Sequence, residues 1–208
     1  MLAAACSSPK GKEVKYTAAD SAMHREWQPA NQEMVAQACA RLQTGDLALR
    51  TGADATSHML RGMNQKNGTY SHCGIVVIEG GQPFVYHSIG GEDNPDAFIR
   101  RDPAALFFSP GTNEGGGAVR LALPPDAIAR VVDTARLWYR QKRSFDMAFD
   151  LGTDDALYCA EFVSKAVTRA AGLPGLFSRS HLSGFEYVAV DDLYEGPGTR
   201  SICSFRFK

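Results

Sequence analysis

An α+β fold is predicted, on three observations. Residues 71 to 78, Ser-His-Cys-Gly-Ile-Val-Val-Ile, are largely β-branched and apolar. After Glu79-Gly80-Gly81-Gln82 the chain returns as Phe84-Val85-Tyr86-His87-Ser88-Ile89, the pattern of an antiparallel hairpin. Two stretches, Asp126 to Tyr139 and Cys159 to Ala171, repeat apolar residues at helical spacing. With 208 residues, 44% of them hydrophobic, the chain is long enough to bury one substantial core.

In chain order, residues 1 to 31 are polar with scattered Pro and Ala and read as a tail, so one domain is expected from 32 to 208. The opening Met1-Leu2-Ala3-Ala4-Ala5-Cys6-Ser7-Ser8 resembles the end of a bacterial lipoprotein signal with its acylatable cysteine. On that reading Cys6 carries lipid, is the only membrane attachment, and places the domain in the cell envelope; without it a cytoplasmic location is expected. Glu33 to Gln43 reads as a helix, with Met34, Val35, Ala38, Cys39 and Leu42 on its apolar stripe and Thr44-Gly45 as its stop. Asp46 to Arg50 follows as a strand, and Ser57 to Met63 as a short helix. Gly90 to Gly117 is rich in Gly, Pro and Asp and reads as a long loop near the presumed site. Ala118 to Leu123 reads as a strand, Pro125 and Asp126 open the next helix, and Gly172-Leu173-Pro174 stops the last one. Tyr187 to Val190 and Ser201 to Phe207 read as closing strands.

Composition excludes several function classes. Lys and Arg number 22 against 23 Asp and Glu, too even a balance for the basic footprint of a nucleic-acid binder. Apolar runs such as Gly74 to Ile78 fall far short of the roughly 20 residues that span a bilayer. Cys6, Cys39, Cys73, Cys159 and Cys203 are widely spaced with no Cys-x-x-Cys, which suggests neither a zinc site nor a disulfide framework. His24, His58 and His181 lie in polar contexts, no metal-ligand spacing is present, and no cofactor is expected.

The chemistry-bearing residues gather around the hairpin and the last helix. If Gly80-Gly81 forms a two-residue turn, Glu79 faces Gln82, Gly74 falls opposite His87 and His72 opposite Ile89. His72 and His87 are then diagonal neighbours on one face, roughly 7 to 8 Å apart at Cα. One bulge residue would separate them. Cys159 sits where a helix begins, where free N–H groups and the helix dipole favour a thiolate and can donate to an oxyanion. Cys73 alternates away from His72 and reads as core. Tyr158 and Tyr70 are candidates for an oxyanion or substrate contact through the phenol, or for simple anchors. Asp46 and Asp146 read as groups that hold backbone near the site.

Tyr70-Ser71-His72-Cys73-Gly74-Ile75-Val76-Val77 and Tyr158-Cys159-Ala160-Glu161-Phe162-Val163 resemble the two signature motifs of the YiiX-like proteins. Those belong to the circularly permuted NlpC-type branch of the papain-like cysteine peptidase superfamily, together with the lecithin:retinol acyltransferase group. Gly45-Asp46-Leu47-Ala48-Leu49 and Phe145-Asp146 through Phe149 extend the resemblance. It implies a permuted papain-like α+β fold whose antiparallel sheet packs on the helix carrying the nucleophile, with Cys159 as nucleophile and His72 as base. The third polar position falls on His87, where YiiX-like members commonly carry Glu and the acyltransferase group His.

The implied activity is a thiol hydrolase acting on an amide or peptide bond, possible substrates including cell-wall peptides, through a Cys159-His72-His87 triad and a thioester intermediate. Lipid acyl transfer or deacylation is the alternative, prompted by His87 and by Phe98, Leu106, Phe107 and Phe108. A non-catalytic peptide or lipid binding module on the same fold is a third.

Overall fold

The computed structural model describes residues 17 to 90, 97 to 196 and 198 to 208. Cys6 and its lipidation, and residues 91 to 96 of the segment read as a long loop, lie outside the described residues. Six strands form one sheet: β1 (Leu47–Gly52), β2 (His72–Glu79), β3 (Gln82–His87), β4 (Arg100–Pro103), β5 (Asn113–Leu121) and β8 (Thr199–Arg206). Their order is β4-β3-β2-β1-β5-β8 and every neighbouring pair is antiparallel. Strands β6 (Ser180–Leu182) and β7 (Phe185–Tyr187) make a separate hairpin. The result is a mixed α+β fold built on an antiparallel sheet.

Helices cover both faces of that sheet, which explains why β1 and β2 do not alternate polar with apolar. On one face α5 (Pro125–Arg140) and α6 (Cys159–Ala171) bury Val131, Trp138, Phe162 and Val163 with Leu47, Leu49, Cys73, Ile75 and Tyr86. On the other, α2 (Pro29–Arg41) and the short α4 (Ala104–Phe107) bury Val35 and Phe107 with Ala48, Val76 and Val85. A fully buried side chain of this kind contributes roughly 1.5 to 3 kcal/mol. Helix α6 ends on Gly172 at φ 67, the left-handed cap that glycine adopts without a Cβ penalty. Among the described residues no helix is long and apolar enough to cross a membrane.

Three expectations differ from the structure. The segment read as tail carries α1 (Ala18–Trp27) and opens α2: Thr17 caps α1, and Glu26 accepts from Ser109 Oγ and Gly111 N. Its apolar periodicity is weak because tertiary hydrogen bonds, not a buried stripe, hold α1, which has no buried residue. The segment read as loop from Gly90 to Gly117 contains β4, α4 and the start of β5. Its charged and glycine residues mask strands that take their order from pairing rather than propensity. The closing strand expected at Tyr187 to Val190 is instead the end of β7 and the start of α7 (Val190–Tyr194), where the Asp192 side chain accepts from Ala189 N.

The hairpin register is the one counted from the turn: Glu79 pairs with Gln82 and Ile75 with Tyr86, with no bulge between. Gly80 and Gly81 both have positive φ, 57 and 78, as a type I′ turn requires. Gly74 is obligatory for a different reason. A Cβ there would lie 2.5 Å from Val85 Cγ1, 2.7 Å from Tyr86 O and 2.9 Å from His87 Cβ. Gly74→Ala should therefore destabilise the protein by about 1 to 3 kcal/mol and displace His87, read as a lower urea midpoint.

Candidate active site

Because the register is unbroken, His72 and His87 emerge on the same face, and their rings meet with His72 Nε2 2.8 Å from His87 Nδ1. Both pack on Phe107 of α4, at 5.7 and 5.2 Å between ring centroids. The sheet then supplies a residue that sequence reasoning missed. Strand β4 pairs His87 with Arg100, so Asp102, two residues on, is the diagonal neighbour on that face. Its Oδ2 lies 3.0 Å from His87 Nε2, and Arg100 Nη2 lies 3.0 Å from its Oδ1. The signal for it was a run of charged residues, Arg100-Arg101-Asp102, before Pro103, a composition typical of edge strands.

This chain of contacts fixes the proton positions. Burial raises the Asp102 carboxyl, but hydrogen bonds from His87 and Arg100 outweigh it and hold the group below its ordinary value. Burial pushes His87 down to about 4 against the pull of Asp102. Burial, followed by the charges of Arg50, His87 and Arg100, pushes His72 well below its ordinary value. Both imidazoles are neutral at pH 7. An ionised Asp102 can only accept, so His87 Nε2 donates to it and His87 Nδ1 accepts. His72 Nε2 must then donate to His87. Of the four ring nitrogens, His72 Nδ1 alone keeps a free lone pair, the form a general base needs.

Cys159 is the first residue of α6, reached from Tyr158 as N-cap. Glu161, fully buried, turns back to accept from Tyr158 N at 3.2 Å and pairs with Lys165 Nζ at 2.7 Å. Ser88, next to His87, donates to the carbonyl of Leu157 at 2.5 Å, tying the histidine strand to the entry of α6. The side chain of Cys73, one residue from His72, faces α6 and packs in the same cluster as Cys159. Its thiol beside the sulfur lowers the Cys159 thiol most, against burial; the N–H groups of Ala160 and Cys73 and the charge of Arg50 lower it further. Burial and the Cys159 neighbour push Cys73 well above its ordinary value, so Cys159 carries the more acidic thiol of the pair. Among the described residues no hydrogen bond joins Cys159 to either histidine.

The two tyrosines part company. Tyr70 gives its phenol to Ser204 at 2.9 Å and packs edge-on against Tyr194, so it anchors β8 rather than facing Cys159. Tyr158 lines the cleft beside Cys159, its oxygen accepting from Val188 N at 2.8 Å and its own proton uncommitted. Phe149 packs against Tyr158 with the rings tilted and their centroids 4.6 Å apart, from a strained φ of 55. Asp146 holds that turn by accepting from Ala148 N and Asp150 N, while Asp46 accepts from Gln43 N and binds Arg120. The small, open cleft is walled mainly by Leu60, Met63, Phe149, Tyr187, Val188 and Val190, with Asn64 and Ser71 as polar points.

No family model and no curated protein matches the chain. Among solved structures it is similar to the metalloprotein YiiX from Escherichia coli O157:H7, with a TM-score of 0.65 at 18% identity over 80% of this chain and 99% of that one. A metal does not fit the site here. Among the described residues no three His, Cys, Asp or Glu side chains are grouped to hold one, and three of the four nitrogens of His72 and His87 are engaged within the relay. What the chain shares with YiiX is the mixed α+β fold and its antiparallel sheet.

Proposed function

We propose that the protein is a cysteine-nucleophile hydrolase of the permuted papain-like type, acting on amide or peptide bonds, with Cys159 as nucleophile and His72 as base. The observation that carries this reading is Cys159 at the first position of α6 with its thiol lowered by Cys73 and by the N–H groups around it, on a sheet whose β2 also carries the Asp102-His87-His72 relay. In this mechanism His72 takes the Cys159 proton, a step that requires the start of β2 to rearrange around substrate, because here His72 leaves the strand on the Phe107 face and Cys73 on the face that meets Cys159. The thiolate attacks the carbonyl, the N–H groups at the start of α6 receive the oxyanion, the protonated base gives its proton to the departing amine as the C–N bond breaks, and water then hydrolyses the thioester to free the acid and restore the thiol. His87 extends the charge of Asp102 to His72, so a histidine at the third position still places a carboxylate behind the imidazolium.

A second reading, lipid deacylation or acyl transfer, draws support from the apolar walls of the cleft at Cys159. Cell-wall peptides as substrate and an envelope location through Cys6 rest on the sequence resemblance and the N-terminal residues alone.

The test is the pH dependence of iodoacetamide labelling at Cys159, located by peptide mass, in wild type and His72→Ala. Labelling should persist well below the ordinary thiol pKa of about 8.5 and collapse in the variant. Labelling that titrates like a free thiol in both proteins would leave a binding module as the better account. Competition between acyl-lipid and peptide substrates in one turnover assay separates the two enzyme readings.

A further inference from the structure

One nucleophile packed at the site takes no part in the proposed reaction. Cys73 is fully buried on β2, and alternation along the strand turns its side chain to the α6 face, into the cluster that holds Cys159. Helix α6 packs on β2, and its first residue, Cys159, sets its sulfur beside the Cys73 thiol and the Cys73 N–H. Both thiols are free. Of the two only Cys159 lines the cleft, so a reagent from solvent meets that sulfur first. Cys39 and Cys203, the other free cysteines among the described residues, pack on the opposite face of the sheet. The pair divides into two chemical roles: the Cys159 thiol is held below its ordinary value and is the one oxidants attack, while Cys73 is held well above and stays protonated. An acidic, reachable thiol next to a second thiol is the arrangement in which a sulfenic acid is captured as a disulfide.

We propose that Cys73 is a resolving cysteine: hydroperoxides oxidise Cys159, and Cys73 closes a reversible disulfide on it that caps the nucleophile and spares it irreversible oxidation. The proposal concerns regulation of the nucleophile assigned above and rests on that reading only for the Cys159 thiol. The Cys159 sulfur attacks one oxygen of hydrogen peroxide; the S–O bond forms, the O–O bond breaks, and the departing hydroxide takes the thiol proton as water. The Cys73 sulfur then attacks the sulfenic sulfur; the S–S bond forms, the S–O bond breaks, and the Cys73 proton leaves with hydroxide as a second water. The two thiols together give up two electrons and the peroxide takes them. A dithiol reductant reverses the bond by exchange.

The test exposes the native protein to hydrogen peroxide at pH 7 and follows each cysteine by peptide mass without reduction. Wild type should yield one linked peptide pair, Cys73 with Cys159, lighter than the two thiol peptides by two hydrogens. Iodoacetamide labelling of Cys159 should fall by about tenfold or more and return on dithiothreitol. Cys73→Ala should lose both the linked pair and the recovery, its Cys159 gaining two oxygens as the sulfinic acid. Wild-type Cys159 that passes to sulfinic acid while Cys73 remains a thiol overturns the proposal without need of a variant, and so does a Cys159 that withstands peroxide. If iodoacetamide labelling depends on His72 in either of those cases, the hydrolase reading stands alone. A linked pair together with labelling indifferent to His72 leaves the disulfide standing and removes the base; a Cys159 that neither labels nor oxidises ends both.

Discussion

Replacing His72 with alanine should lower turnover by roughly 10² to 10⁴-fold, the usual contribution of a positioned general base. Asp102→Asn should cost less, roughly 10- to 10³-fold, because it acts through two imidazoles rather than on the sulfur. The physical reason is the direction of the proton chain. An ionised Asp102 accepts only, which forces His87 Nε2 and His72 Nε2 to donate and leaves His72 Nδ1 as acceptor. An asparagine amide can donate to His87 Nε2, and the whole chain then reverses, placing a proton on the nitrogen that should receive one. The readout is kcat/KM against pH with stability measured alongside. A merely structural Asp102 would lower stability and leave the pH profile unchanged. His72→Ala with wild-type turnover would dispose of the base assignment altogether.

Acid should destabilise the protein in a window set by the same pair. His87 is pushed to about 4 in the folded state, below its ordinary value near 6.5. Above pH 6.5 neither state carries the proton and the folded state has its full stability. Between pH 6.5 and about 4 the unfolded chain binds a proton that the folded chain refuses, so stability falls as pH falls. One group loses about 1.4 kcal/mol per pH unit in that window, about 3 kcal/mol across it. His72, shifted the same way by burial and by Arg50, steepens the loss. Asp102, held low by His87 and Arg100, adds to it only below its ordinary value of 3.8. Against a total domain stability of roughly 5 to 15 kcal/mol this is a large fraction. Urea melts at pH 7, 5.5 and 4.5 measure it, and a flat stability across that range would show that the pair is not held neutral and buried.

Much of the site is legible in the amino-acid sequence, because its residues lie where local rules are strong. Two glycines flanked by β-branched runs specify a hairpin and its register, and register alone brings His72 beside His87. The period of apolar residues and the Gly172 stop define α6, whose first residue is Cys159. Alternation along β2 turns Cys73 away from His72, and the structure adds that this side is the one facing Cys159.

The local frame is thus written in the chain itself: the hairpin, the helix start, and which residues share a face. Three features came from tertiary pairing instead. Asp102 stands behind His87, Arg50 stands beside His72 with an unpaired buried Nε, and Tyr70 faces Ser204 rather than Cys159. Each of these depends on contacts between strands far apart in the chain. Such pairing is settled by burial and hydrogen-bond satisfaction over the whole sheet, and leaves no periodic signal in the charged residues of an edge strand.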